Sequence, residues 1–176
     1  YGQIIVNTAA HIGNYGTEDD EQESSSPKIS GIVVNEFSDE FSRKTATESL
    51  QTYLEKNNVV GIADIDTRLL VRYIRSKGAM NAVISSELSL EELKEDIKKV
   101  PSMDGLELSS IVSTKNTYFV GDPSAAIKVA ALDVGIKTSI LKNLVDRGCY
   151  VQVFPARTSF AVMSAWEPDG YFISNG

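Results

Sequence analysis

The sequence has little of the two side chains on which most nucleophilic catalysis depends. Its 176 residues include one cysteine, Cys149, and one histidine, His11. A single cysteine excludes an internal disulfide and fits a reducing compartment. With one histidine and no activated cysteine, neither a Cys-His pair nor a Ser-His-Asp triad can be built. We expect Cys149 to be a buried, inert thiol at the amino end of a strand, and His11 to hydrogen-bond locally in a turn.

The sequence also lacks long apolar runs and an excess of basic charge. No apolar stretch approaches the roughly 20 residues of a membrane-spanning helix, and no signal-peptide pattern opens the chain. The net charge is −7, which argues against nucleic acid or an anionic membrane as the main partner but leaves a protein partner open. We therefore expect a folded cytoplasmic protein that binds no membrane and no nucleic acid.

The turn signal Gly121-Asp122-Pro123-Ser124 divides the sequence into two regions. We place the domains at residues 1–122 and 123–176. The first residue is Tyr1, and a strand pattern begins as early as Gln3, so we expect the chain to start and end within a domain. Hydrophobic periodicity in the first region predicts strands at Gln3–Thr8, Ile29–Val34 and Ala82–Ser85, and helices at Thr47–Lys56, Thr67–Lys77 and Ser89–Lys99.

The second region has the pattern of a parallel α/β unit. Lys128–Val134 is apolar almost without alternation, as expected for a strand that is covered on both faces. The order predicted from here is β-α-β-α-β, with a helix at Ile136–Arg147, a strand at Tyr150–Phe154, a short helix at Ala161–Ala165 and a strand at Tyr171–Ser174.

An acidic run separates the first two predicted strands. Five of the six residues from Glu18 to Glu23 are acidic, and a serine run follows. This composition is typical of a solvated, mobile loop. The run lacks the alternating acids and central glycine of an EF-hand loop, so a calcium site is not favoured.

Three features near the ends of the predicted strands are candidates for a binding site. Asp133 ends one strand, where a carboxylate could bind a ligand or cap the following helix. Lys137 is expected in the first turn of that helix, where it opposes the helix dipole; it could serve a site or simply face solvent. Ser174-Asn175-Gly176 could aim backbone N–H groups at an anion, or form an ordinary turn. No G-x-G-x-x-G motif follows the strand that Asp133 ends, which disfavours a nicotinamide enzyme.

Several segments in order along the chain resemble the small subunit of glutamine-hydrolysing carbamoyl-phosphate synthetase. In the first region these are His11–Thr17 with the acidic run, and Gly61–Arg68. In the second they are Asp133–Lys137, Val145–Cys149 and the stretch from Pro168 to Gly176. The Ala63–Arg68 block is specific to that subunit, whereas the β-α-β pieces are shared with other amidotransferases.

The resemblance implies an α/β fold with an amino-terminal three-layer β/β/α domain, missing its first strands. The first β-α-β-α-β part of a flavodoxin-like class I glutamine amidotransferase domain would follow. It also implies a glutaminase subunit that passes ammonia to a large subunit. Together the two subunits would make carbamoyl phosphate from glutamine, bicarbonate and two ATP, for arginine and pyrimidine synthesis. The large subunit would use the ATP, with Mg.

The resemblance does not extend to the family's catalytic residues. The family's catalytic cysteine, histidine and glutamate would follow Gly176, and Cys149 matches a non-catalytic cysteine. We therefore expect a fragment that is inactive alone and holds no catalytic residue and no metal. By resemblance, Gly176 would bind glutamine and Lys137 would lie near the pocket. A non-catalytic docking module for a large partner is the main alternative, and a receiver-like signalling domain is a weaker one.

Overall fold

The computed structural model describes residues 1–175, and it divides the chain into two compact units. The first unit is Tyr1–Gly105 and the second begins at Leu106. The sequence places the domain boundary at residue 122, which leaves 106–122 in the first region. In the structure this segment lies with the second unit, because its strand joins the sheet of that unit. Both units combine helices with parallel or mixed sheets, so the chain is an α/β protein.

The first unit is built on two small parallel sheets. A three-stranded sheet has the order β1-β3-β5, and a two-stranded sheet pairs β2 with β4. The strands are β1 (Ile4–Val6), β2 (His11–Ile12), β3 (Gly31–Val33), β4 (Glu36–Phe37) and β5 (Val60–Ile62); the helices are α1 (Leu50–Lys56), α2 (Thr67–Lys77) and α3 (Leu90–Ile97).

Side-chain caps fix where these helices begin. The Asp66 carboxylate accepts a hydrogen bond from the Leu69 N–H at 2.9 Å and starts α2, and Gly78 ends it with a φ of 91°. Ser89 starts α3 through a capping box with Glu92. The hydrogen bond from Ser89 to the Glu92 carboxylate lowers the pKa of Glu92 below its usual range.

One predicted strand in this unit is wrong. Ala82–Ser85 has no strand partner. Instead the Ile84 side chain lies over the three-stranded sheet, with its Cδ1 3.4 Å from the point where a Cβ on Gly31 would stand. Extended apolar residues form a strand only when they hydrogen-bond to a neighbouring strand. Here they cover the sheet instead.

The acidic run is tied down by one arginine. Arg43 donates two hydrogen bonds to the Glu21 carboxylate, at 2.7 and 2.6 Å, and lies 2.8 Å from the Glu18 carboxylate. A 3-10 turn at Asp19–Glu21 forms within the run. The hydrogen bond from Arg43 lowers the pKa of Glu21. The bidentate geometry gives this loop a defined anchor that its composition does not reveal.

The second unit is a four-stranded sheet with helices on both faces. Its order is β6-β8-β7-β9, with β6 antiparallel and the other strands parallel. The elements are α4 (Ser109–Val112), β6 (Tyr118–Val120), β7 (Ile127–Asp133), α5 (Thr138–Val145), β8 (Cys149–Pro155), α6 (Phe160–Ser164) and β9 (Gly170–Ile173). The predicted β-α-β-α-β order is confirmed.

The two faces of this sheet bury different layers of side chains. Val129 and Ala131 of β7 pack with Leu141 of α5, and Ala130 packs with Met163 of α6 on the opposite face. Because successive side chains of a strand point to opposite faces, an unbroken apolar strand is what two covered faces require. Among the described residues no helix is long and apolar enough to cross a membrane.

Candidate functional site

The candidate site is the edge of the second sheet where the parallel strands end. In the order β8-β7-β9 the chain moves first to one side of β7 and then to the other, which makes β7 and β9 a topological switch point. Open α/β sheets bind ligands at the carboxyl ends of the strands beside such a point. Asp133 ends β7 and Ser174 follows β9 directly, so the sequence candidates meet at this edge.

Asp133 is buried, with 5% of its surface exposed. Its Oδ1 accepts hydrogen bonds from the N–H groups of Gly135, at 2.9 Å, and Ile136, at 2.8 Å. Its Oδ2 accepts a third from the Thr114 N–H at 2.7 Å. Three donors occupy most of the acceptor capacity of this carboxylate. Of the two roles left open by the sequence, the structure shows the local one: Asp133 fixes the turn that leads into α5.

Ser174 ties the end of β9 to the end of β7. It is 5% exposed, and its hydroxyl accepts a hydrogen bond from the Val134 N–H at 2.9 Å. The same hydroxyl donates to the Asn175 carbonyl at 3.3 Å, and the Ser174 N–H donates to the Leu132 carbonyl at 3.1 Å. The two strand ends at the switch point are therefore held together by one buried hydroxyl.

The sequence predicts Lys137 in the first turn of α5, but in the structure it lies directly before that helix. It is the N-cap of α5, with an extended backbone at φ −79° and ψ 144°, and its side chain is exposed. The helix starts two residues later than predicted because Asp133 already accepts from the N–H groups of the turn, so Lys137 is not inside the first turn. Gly176, the predicted glutamine-binding residue, lies outside the described residues.

Sequence reasoning missed a segment that closes this edge from the side. Ser113, 6% exposed, follows α4; its hydroxyl accepts a hydrogen bond from the Ala156 N–H at 2.9 Å. The next residue, Thr114, donates to Asp133. The segment thus joins the ends of β7 and β8. Thr114 and Asp133 lie 19 positions apart in sequence, and Ser113 and Ala156 lie 43 apart. No local sequence pattern therefore predicts these contacts.

The negative charge of Asp133 also acts on Tyr118, at the start of β6. Burial raises the pKa of the Tyr118 phenol, and the nearby Asp133 carboxylate raises it further because it disfavours a second negative charge. The phenol is therefore expected to ionise at a higher pH than an ordinary tyrosine.

The edge offers backbone donors and acceptors, while the chain's thiol and imidazole lie elsewhere. Cys149, 8% exposed, begins β8 at the opposite edge of the sheet, as predicted. His11 lies in β2 rather than only in a turn, and its Nδ1 is 2.9 Å from Glu36 on β4. Within residues 1–175 the edge can position a substrate group but holds no cysteine or histidine that could attack one.

Hydrogen bonds hold the central residues of the motif Gly61–Arg68, in the first unit, in a defined turn. Asp64 has a φ of 61°, and its N–H donates to the Asn35 carbonyl at 2.9 Å. Asn35 donates to the Ile65 carbonyl at 3.1 Å. Beyond this turn lies a cavity of about 240 Å³, lined by Thr8, Ala10, Asn35, Asp66, Thr67 and Arg68.

The second unit is an open α/β sheet with a topological switch point, a class of fold in which ligands bind at the carboxyl ends of the strands. Residues 1–84 match the model of the carbamoyl-phosphate synthase small chain, CPSase domain. The chain belongs to the carbamoyl-phosphate synthase small chain family.

Similarity to curated relatives extends over nearly the whole sequence. The carbamoyl phosphate synthase small chain of Chlorobaculum tepidum is 43% identical over 176 residues, which cover 99% of this chain and 48% of that protein. The small chains of Synechococcus sp. and Vibrio cholerae are each 39% identical, over 99% of this chain and 48% and 50% of their own lengths. The chain spans about half the length of the curated relatives it matches.

Proposed function

We propose that this chain is part of the glutaminase subunit of a glutamine-hydrolysing carbamoyl-phosphate synthetase. The subunit would release ammonia to a large subunit, which uses ATP and Mg to form carbamoyl phosphate from bicarbonate. The observation that carries the proposal is the switch-point edge, where Ser174 joins the ends of β7 and β9 and Asp133 fixes the turn that follows β7. Family membership adds the substrate class, and we propose a cytoplasmic location on the same ground.

The finer architecture is part of this proposal. The first unit would be the β/β/α-layered domain of the small subunit, and the second the beginning of a flavodoxin-like amidotransferase domain. The strand order β8-β7-β9 supports this, because it matches the 2-1-3 start of the flavodoxin-like sheet. In family terms the division stays at 1–122 and 123–176, even though residues 106–122 pack with the second unit.

At this edge Gly176 would bind glutamine and Lys137 would lie beside the pocket. The support is positional: Lys137 and the Asn175 end of the described chain follow the two strands of the switch point. A titration of the chain with L-glutamine, followed by amide NMR, should shift the resonances of residues 133–137 and 174–176. D-glutamine is the matched control, and equal shifts with both enantiomers would contradict a built glutamine site.

We further propose that residues 1–176 do not hydrolyse glutamine by themselves. Cys149 is buried at the wrong edge, and His11 is engaged by Glu36. The purified chain should release no ammonia from glutamine above the rate of the Cys149→Ser variant. Glutaminase activity that iodoacetamide abolishes, and that Cys149→Ser also lacks, would show that this thiol is the nucleophile and would refute the proposal.

A non-catalytic docking module is the second candidate, and one observation favours it. Helix α2 carries exposed arginines that pair with no described residue. Docking to the large subunit and contributing to the glutaminase are compatible roles. A pull-down of the large subunit by this chain, without glutaminase activity, would support docking as what these residues do alone.

A further inference from the structure

The outer face of helix α2 has a charge opposite to that of the chain. Its sequence, Thr67–Lys77, contains three arginines and a lysine and no acid, whereas the chain has a net charge of −7. Arg68, Arg72 and Arg75 follow the spacing i, i+4, i+7, which places them in one stripe along the helix. All three are exposed. We call this stripe, with its apolar neighbours Leu69 and Tyr73, the basic face.

These arginines differ from several other basic residues of the first unit. Arg43 pairs with Glu21, Lys56 with Glu48, and Lys98 and Lys99 with acids on α3. In contrast, the guanidinium groups of Arg68, Arg72 and Arg75 make no ion pair or hydrogen bond with any residue that the structure describes. The acids nearest in sequence are Asp64 and Asp66, just ahead of the helix; Asp66 already accepts the Leu69 N–H.

An apolar stripe lies beside the arginines. Leu69 is 62% exposed and Tyr73 is 53% exposed, and they stand one helical turn apart. The side of α2 that faces the unit is occupied by other residues, because Thr67 is 1% exposed and Val71 and Ile74 are half-buried. Tyrosine and arginine are the residues enriched in the centres of protein interfaces. The basic face therefore has the composition of a protein-binding surface.

We propose that the basic face of α2 docks onto an acidic surface of the large partner subunit that surrounds an apolar patch. This inference rests on the proposed function, which supplies the partner. Charge complementarity selects the occupant: the arginines attract carboxylates, and Leu69 and Tyr73 fill the apolar centre. Nucleic acid and anionic lipid are disfavoured because the remainder of this acidic chain would repel their phosphates.

The test measures binding of the 176-residue chain to the large subunit at low, physiological and high salt. The double variant Arg68→Glu/Arg72→Glu reverses two charges of the basic face. An acid at position 68 suits the positive N-terminal end of α2, so the helix is expected to persist, and far-UV circular dichroism checks this. Lys98→Glu/Lys99→Glu, directly after α3, is the control for charge, since it makes the same change of charge at two exposed lysines.

We expect the α2 variant to bind at least about tenfold more weakly and to lose most of the salt dependence of its association rate. The control should stay within about twofold, and Tyr73→Ala should weaken binding without changing the salt dependence. If the wild-type chain and the α2 variant bind the large subunit equally, the inference is wrong and the proposed function stands. If the wild-type chain does not bind the large subunit at any salt concentration, the proposed docking fails as well.

Three further measurements oppose the inference directly. Sedimentation of the wild-type chain as a dimer that the α2 variant abolishes would assign the face to a second copy of this chain. Tighter binding to a 20-nucleotide DNA duplex than to the large subunit would assign the basic face to nucleic acid. Tighter binding to phosphatidylserine vesicles would assign it to a membrane.

Discussion

Replacing Asp133 should destabilise the second unit more than the loss of any other carboxylate in it. The Asp133→Asn variant keeps the size of the side chain but presents one oxygen and one NH₂ group. If the oxygen stays with the Gly135 and Ile136 N–H groups, the NH₂ group faces the Thr114 N–H, so two donors meet. A partly buried donor without a partner costs about 1–3 kcal/mol. Asp133→Ala leaves three donors unpaired, for a total of about 3–5 kcal/mol after water enters.

Urea denaturation followed by tryptophan fluorescence measures this loss. Trp166 is the only tryptophan in the chain and packs edge-on against Tyr150 of β8 and Phe119 of β6, with ring centroids 5.8 Å apart in both pairs. Its emission therefore reports the unfolding of this sheet. The free energy of unfolding should fall in the order wild type, Asp133→Asn, Asp133→Ala, with little change in the urea slope.

Asp146→Asn is the matched control, because Asp146 is exposed at the end of α5 in the same unit. It should change stability by less than about 0.5 kcal/mol. Equal stability of Asp133→Asn and Asp146→Asn would refute the reasoning, since it would show that the carboxylate at position 133 is not needed to hold the turn.

Three other predictions follow from the described contacts. The Tyr118 phenol should ionise above the ordinary pKa of tyrosine, so that the second unit loses stability as the pH rises through that raised value; a difference titration against Tyr118→Phe at 295 nm measures it, and Asp133→Asn should bring the midpoint partly back. Ser89→Ala should cost about 1 kcal/mol through the lost capping box, seen as faster hydrogen exchange in α3; Ser86→Ala is the control, and equal exchange in both variants would contradict the cap. Gly13→Ala should destabilise the first unit much more than Gly105→Ala, because both have a positive φ but only the Cβ at Gly13 would overlap the Ser38 carbonyl; equal loss would mean that φ alone matters.

The sequence predicts well what depends on neighbours along the chain. The apolar run of β7 and the caps Asp66 and Ser89 were all readable from the sequence, because a cap and its helix lie within four residues of each other. Burial of Cys149 followed from its place at the start of a strand.

What the sequence could not reveal depends on distant partners. All three residues of β5 are exposed and show no alternation, so this strand exists only because β3 lies beside it. The same holds for β6, which pairs with β8 about thirty positions later. Lys137 fell outside its predicted turn because the start of α5 is set by Asp133, and the error is one of helix boundary, the least certain part of any periodic pattern.

The role of Asp133 shows why a residue at a strand end can be found from sequence while its function cannot. A carboxylate has about four acceptor sites, and a ligand-binding role requires that some of them face the open edge. Two N–H groups of the following turn occupy Oδ1, and these are local enough to be anticipated. The third donor, Thr114, arrives from a segment before β6 and occupies Oδ2. Because the Asp133 carboxylate and the Ser174 hydroxyl are already hydrogen-bonded within the chain, the edge can offer a ligand mainly backbone groups. Under the proposed function, such an edge would orient the ligand through the backbone and not attack it.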